Sequence, residues 1–350
     1  MKQRNLKKKV GSLLLAVAMI VTSFPAFSHE VYAAESPDST QFATVDELKN
    51  FDTNNGTEKK AAKIYFGNND QQWWIAGSQQ EQGLTLFAAS ALATSQQFEP
   101  KLNQYKQYSD DWNCDYTSTG SSNPSDVYPN HYGASPLRSR LQGLETSYFT
   151  GTEQGYMNST TVYTNDTKNS STYSTTDKLY LAYGVYVGGI YITVGKNSSE
   201  NDDEKLNNGL RIDKTYLVND QFWLRAPSKE HYLLDMPGSN FVLLKQGGYS
   251  MSNGQIDYPA ALVPAFELNL SSVIFASAAP AAASDGKLDV KTVNDKDKEG
   301  AYTLRYQPKN SIGTATISYS KKSVTVTGIT NENTYLVVQN KDGAWSKKVT

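Results

Sequence analysis

The 350-residue chain has a single cysteine, Cys114, so no disulfide can staple it internally. Exported eukaryotic domains of this size commonly carry several disulfides. A lone thiol therefore favours a bacterial export route and a fold held by its core alone. Histidine is nearly as scarce: three in all, with only His131 and His231 beyond residue 34. One cysteine and two distant histidines make no zinc-ligand spacing. Charged residues are 19% of the chain, and no basic stretch with interleaved aromatics occurs, which argues against nucleic-acid binding. Beyond residue 34 no apolar run is long enough to span a bilayer, and the sequence there shows no sorting motif or lipidation cysteine.

What the N-terminus does have is an export pattern. Lys2, Arg4, Lys7, Lys8 and Lys9 precede any acid. A short apolar stretch from Val10 to Val21 follows, broken by Ser23 and Pro25, and small residues Ala33 and Ala34 precede Glu35. A basic start, a short apolar segment and a small-residue exit predict a secretory signal over residues 1–34, cleaved near Ala33 or Ala34. Its removal leaves 28 basic against 34 acidic residues, a net charge near −6. About 316 residues remain, enough for about two domains. The 23 tyrosines and abundant Ser, Thr and Asn suit a β-rich extracellular surface.

Residues 35–60 read as a polar linker with one short helix, where Thr44 and Glu47 have capping-box spacing. Strands are predicted around Ile64, Trp73 and Leu84, around Leu179 and Ile190, and around Phe222 and Leu262. Ser135 and Pro136 open a helix carrying Leu137, Leu141 and Leu144 on one face. Thr150 and Glu153 open a second, with Tyr156 and Met157 on its apolar side. Residues 104–133 and 228–258 read as loops, the second rich in turn residues around the apolar run Phe241, Val242, Leu243 and Leu244. Residues 160–176 read as a polar segment. Residues 280–286 form a Pro/Ala-rich linker, and 287–350 alternate short strands and turns at the spacing of a small β-sandwich that the chain may not complete.

Over residues 61–279 the order of motifs resembles a family of secreted, mostly uncharacterised bacterial domains with a C-type-lectin-like fold. The resemblance is carried by Ile64-Tyr65-Phe66-Gly67 with Trp73-Trp74-Ile75, by Leu84-Thr85-Leu86-Phe87-Ala88, and by Tyr132-Gly133-Ala134-Ser135-Pro136-Leu137-Arg138. It is completed by Thr176-Asp177-Lys178-Leu179-Tyr180 and by Phe222-Trp223-Leu224-Arg225-Ala226-Pro227 paired with Val263-Pro264-Ala265-Phe266. Ala226 and Val263 stand where that family has Ser and Arg, which puts one of its polar contacts in doubt here. The resemblance implies an α+β fold of short strands, two short helices and long loops. It also implies an extracellular, ligand-binding module with no established reaction. The last segment resembles the immunoglobulin-like repeats of bacterial surface proteins. Formylglycine-generating enzymes share the lectin-like topology but use two cysteines, one more than this chain contains.

No constellation points to catalysis. Cys114 would need a histidine base, and it sits in no protease signature. The acidic clusters at Asp110–Asp115 and Asn201–Glu204 lack the Asp-x-Asp-x-Asp-Gly calcium spacing, so no metal and no cofactor is expected. Glu145 and Glu153 have structural uses near helix ends. Of the tryptophans, Trp223 is expected in the core with Arg225 near it, and of Trp73 and Trp74 one is expected inside and one facing out. Ligand-contact candidates are Trp112 on the first loop and Tyr232, Asp235, Asn240, Tyr249, Asn253 and Tyr258 on the second, because aromatic and Asn/Asp side chains on loops suit sugar or protein surfaces. The reading is a secreted or surface-located, non-enzymatic binding protein for a glycan or protein ligand. It has no nucleic-acid partner and, after signal removal, no membrane span. A secreted hydrolase of glycans or cell wall and a structural surface component without a ligand are the alternatives.

Overall fold

The computed structural model describes residues 29–32, 42–54, 61–68, 71–98, 130–166, 170–186, 190–198, 208–227, 238–245, 248–256, 258–278, 286–287, 301–306, 314–318, 323–328, 335–340 and 343–348. Strands dominate, with three short α-helices among the described residues, an α+β to mostly-β architecture. The chain divides into two compact units. The larger comprises Val45–Ser272 with Val293–Ala301, and the smaller Met1–Thr44, Val273–Thr292 and Tyr302–Thr350.

In the smaller unit three groups of strands form. β1 (His29–Tyr32), β23 (Ser323–Thr327) and β22 (Thr314–Ser318) pair in that order. β20 (Gly286–Lys287), β25 (Gly343–Lys348) and β24 (Tyr335–Asn340) form a second group. β21 (Tyr302–Tyr306), β19 (Val273–Ala278) and β2 (Phe42–Thr44) form a third. The strand predicted from Leu288 to Val290 lies outside the described residues.

The larger unit is built on a sheet ordered β10 (Tyr180–Leu181), β18 (Pro264–Asn269), β5 (Gly83–Ala88), β4 (Gln72–Gly77), β3 (Lys63–Tyr65), with β7 (Met157–Asn158) also pairing β18. β5 is buried along its whole length and β18 at all but its last residue, so both faces of this sheet are covered. That burial corrects the expectation for Trp73 and Trp74. They do point to opposite faces, yet both are inside, because each face has its own core. Trp73 meets the Phe266 ring edge-on at 4.7 Å and donates its indole N–H to the Phe66 carbonyl at 2.8 Å. Trp74 packs on Tyr216 at 4.8 Å.

A second sheet runs β16 (Gly248–Gln255), β15 (Gly238–Lys245), β14 (Phe222–Pro227), β17 (Ala260–Leu262), β6 (Ala93–Gln96). β14 is buried throughout, with Trp223 donating to the Gln96 carbonyl. β11 (Tyr183–Tyr186), β12 (Ile190–Val194) and β13 (Leu210–Ile212) form a third sheet, and β8 (Thr160–Asp166) and β9 (Ser171–Asp177) a hairpin. Two sequence expectations are corrected here. Residues 160–176, read as a polar segment, are strands: Thr is β-branched and suits the pleat, and Thr160, Val162 and Thr164 alternate inward. The turn-rich reading of 238–255 gives way to two eight-residue strands in unbroken register, Gly238 opposite Gln255 and Lys245 opposite Gly248. Asn and Gly weaken a strand interior but are tolerated toward a sheet edge.

The helices follow their caps. α1 (Val45–Leu48) is a single turn that buries Leu48. α2 (Pro136–Tyr148) starts at Ser135, whose hydroxyl accepts from the Arg138 N–H at 3.1 Å, and buries Leu137 and Leu141. α3 (Gly151–Tyr156) has the full Thr150–Glu153 capping box. It buries none of its own residues; the apolar Met157 expected on it is instead the buried first residue of β7. Ser135→Ala and Thr150→Ala should each cost about 1 kcal/mol in equilibrium urea unfolding. The Ser135 change should cost more, because that hydroxyl also donates to the buried Tyr132 carbonyl at 2.8 Å.

Candidate functional site

Among the described residues, titratable side chains gather where the turn before α2 meets β9, β10 and β14. His131 caps the single 3-10 turn Tyr132–Ala134 by accepting the Ala134 N–H on Nδ1 at 3.1 Å. That bond assigns the ring proton to Nε2. The imidazole stacks on the Tyr173 ring at 3.8 Å with the planes 15° apart. Burial lowers its pKa to about 4, opposed in part by the nearby Asp166 carboxylate, so the ring is neutral at neutral pH. Tyr173 in turn accepts the Gly133 N–H at 3.1 Å.

Gly133 is required for this contact, since a Cβ there would lie 2.8 Å from the Tyr173 ring. Gly133→Ala should push the ring away and loosen the stack. A loss of about 1–3 kcal/mol on thermal unfolding is expected. With the ring displaced and water admitted, the His131 pKa should move up from about 4 toward its ordinary 6.5, read by imidazole NMR titration.

Below the turn, Arg138 grips Asp177 through Nε and Nη2 at 2.7–3.1 Å and reaches the Gly133 carbonyl with Nη1 at 3.0 Å. Gln142 adds a bond to the same carboxylate at 2.8 Å. Burial works against the Arg138 charge, but the bonds and charge of Asp177 outweigh it and raise the guanidinium pKa.

Deeper still is Arg225, fully buried on β14. Its Nη1 donates to the Leu181 carbonyl at 2.6 Å, and the guanidinium lies 5.2 Å from the Tyr183 ring centre and 6.0 Å from that of Tyr180. Burial lowers its pKa, while the hydroxyls of Tyr180, Tyr132, Tyr183 and Tyr173 act in the opposite sense. Burial in turn pushes the Tyr132, Tyr173 and Tyr180 hydroxyls well above their ordinary value, so all three stay neutral donors. Among the described residues Arg225 thus meets a carbonyl and aromatic faces.

On the neighbouring sheet Glu267 is buried on β18 and accepts the Thr85 hydroxyl. Its Oε2 meets no hydrogen-bond partner among the described residues. Burial raises its pKa to about 7, against the lowering effect of Thr85. Two other placed carboxylates have structural bonds. Glu145 accepts the Leu179 N–H at 3.2 Å, and Glu153 accepts the Thr150 N–H at 2.8 Å and the Gly67 N–H at 3.1 Å.

The chemistry open to this cluster is therefore charge burial and positioning. His131 has its Nδ1 lone pair occupied and Arg138 is paired. Among the described residues no three His, Cys, Asp or Glu side chains gather to hold a metal. Cys114, His231 and the acidic clusters at 110–115 and 201–204 lie outside the described residues. So do the ligand candidates Trp112, Tyr232 and Asp235.

The remaining candidates fall on one hairpin and the turn after it. Asn240 and Asn253 are register partners on β15 and β16, and Tyr249 pairs with Leu244 near the other end. Tyr258 follows between β16 and β17 with half its surface exposed (51%), an unusual position for a large hydrophobic side chain here. The structure thus aligns Asn240 with Asn253 and sets Tyr249 several residues away along the ladder. Sequence reasoning passed over Glu267 and the tyrosine cage of Arg225. A charged residue inside an otherwise apolar strand run, as in Phe222-Trp223-Leu224-Arg225-Ala226 and Ala265-Phe266-Glu267-Leu268, is the signal that marks both.

No family model matches the chain, and no curated protein or solved structure is significantly similar to it.

Proposed function

We propose that this is an exported bacterial protein, released or held at the cell surface, whose larger unit is a non-catalytic binding module of lectin-like type. The ligand is a glycan or a protein, and residues 287–350 are an immunoglobulin-like spacer. The observation that carries the reading is the hairpin β15–β16. It pairs a strand carrying an apolar run, Phe241–Leu244, with the mainly polar strand Gly248–Gln255, joins the fully buried strand β14, and bears three of the candidate contact residues. A rigid sheet that presents a variable polar segment is a common way to build a recognition surface. The N-terminal basic and apolar segment supports export. The use of Glu145, Glu153, Asp177 and His131 in caps and ion pairs favours binding over acid–base chemistry.

The test is a glycan and protein array probed with the exported chain and with a variant whose 238–255 sequence is scrambled. Binding by the native chain that the scrambled variant loses is expected. Equal signals from the two, or cleavage of arrayed glycans, would overturn the reading.

A further inference from the structure

β16 ends the second sheet, and its outer edge has no strand beside it among the described residues. Exposed edges are normally guarded by charge, proline, a bulge or brevity, because unpaired N–H and C=O groups recruit other strands. The opposite edge of this sheet is guarded in that way. β6 has only four residues, Ser95 within it adopts φ +55°, and the Gln96 carbonyl is taken by the Trp223 indole. β16 has none of these protections. Its eight residues, Gly-Tyr-Ser-Met-Ser-Asn-Gly-Gln, carry no charge and no proline, and its register with β15 is unbroken.

The same features name the partner. A strand without charge can face a second copy of itself with no like charges opposed. Antiparallel pairing of identical strands also satisfies a two-fold axis, the commonest symmetry of homo-oligomers. We propose that β16 is a self-association edge, along which two copies of the chain join antiparallel into one continuous ten-stranded sheet. A two-fold pairing centred on Met251 sets Gly248 opposite Gly254 and Ser250 opposite Ser252 of the second copy, and adds about six backbone hydrogen bonds. The interface is narrow, so the dimer forms with a dissociation constant of about 1–100 µM. The pairing uses backbone groups along the strand edge, so dimerisation and side-chain ligand binding are separable.

Sedimentation velocity on the exported chain tests the proposal. Twice the chain mass is expected to accumulate as concentration rises through that range. Ser250→Lys with Ser252→Lys, which sets like charges across the axis, should weaken the dimer at least about tenfold while leaving the melting temperature in place. A chain monomeric throughout, or a dimer indifferent to the lysines, overturns the proposal. If the lysines disturb folding, amide exchange on the native chain decides. Protection of residues 248–255 that rises with concentration supports the edge, and protection elsewhere refutes it. Because the array reads ligand binding and sedimentation reads self-association, either reading can fail alone: a monomer that still binds on the array leaves the ligand reading intact, and a β16 dimer without array binding leaves the edge intact.

Discussion

Arg225→Ala is expected to lower the stability of the larger unit by about 3–5 kcal/mol. Two losses combine. The truncated side chain leaves a cavity between β14 and the Tyr180 and Tyr183 rings. The Leu181 carbonyl loses its 2.6 Å guanidinium donor, although the neighbouring Ala182 carbonyl keeps the Arg225 main-chain N–H at 2.9 Å. A buried acceptor left unmet costs about 1–3 kcal/mol by itself. Arg225→Met separates the terms. It fills most of the volume and removes the cost of holding a charge away from water, so it should recover at least about half of the loss. Equilibrium denaturation of both variants checks this. A cost below about 1 kcal/mol for the alanine would mean that the guanidinium is not a structural group, and its charge would then need another use.

The second large effect is on pH dependence. Folded, Glu267 holds its proton up to about pH 7, whereas an unfolded chain releases it near 4.5. Its contribution to stability is therefore complete below pH 4.5 and is lost as the pH rises through about 7, with a ceiling of about 3 kcal/mol. His131 runs the other way. It titrates near 4 when folded and near 6.5 when unfolded, so its contribution is complete above 6.5 and is lost as the pH falls toward 4. Between about pH 4.5 and 6.5 the two slopes oppose each other, and the native chain should show a nearly flat stability there. Glu267→Gln keeps an acceptor for Thr85 and removes the titration. Urea midpoints measured from pH 4 to 9 should show the variant gaining about 2–3 kcal/mol over the native chain at pH 8, and little at pH 4. An unchanged difference across that range would show that the carboxyl is ionised and solvated at neutral pH.

Much of this fold is legible in residue order, and the misses have physical causes. Ser135-Pro136 and the Thr150–Glu153 pair fix two helix starts because capping is local chemistry, complete within four residues. Trp73 and Trp74 show the limit of alternation. Period two gives opposite faces, but which faces are covered depends on elements far along the chain, here Phe149 and Phe266 on one side and Tyr216 on the other. The ribbon 160–177 and the strand 248–255 were hidden by polarity. Thr, Ser, Asn and Gly read as turn residues one by one, and only pairing with a neighbour converts them to strand. The candidate site divides in the same way. Asn240 and Asn253 stand out from composition, whereas their alignment across a ladder is a matter of register. His131 and Arg138 are visible as types, but the stack on Tyr173 and the grip on Asp177 need β9 brought beside the turn.

In the proposed function, ionisable groups around Arg225 serve the fold and the ribbon 238–255 serves recognition. The most direct measurement is the glycan and protein array repeated with two variants side by side, Tyr249→Ala/Asn253→Ala on the ribbon and Glu145→Gln at the cluster. The account predicts that the ribbon variant loses the native chain's signals while keeping its melting temperature, and that Glu145→Gln keeps the signals. Signals that survive the ribbon variant and vanish with Glu145→Gln in a folded chain would contradict it.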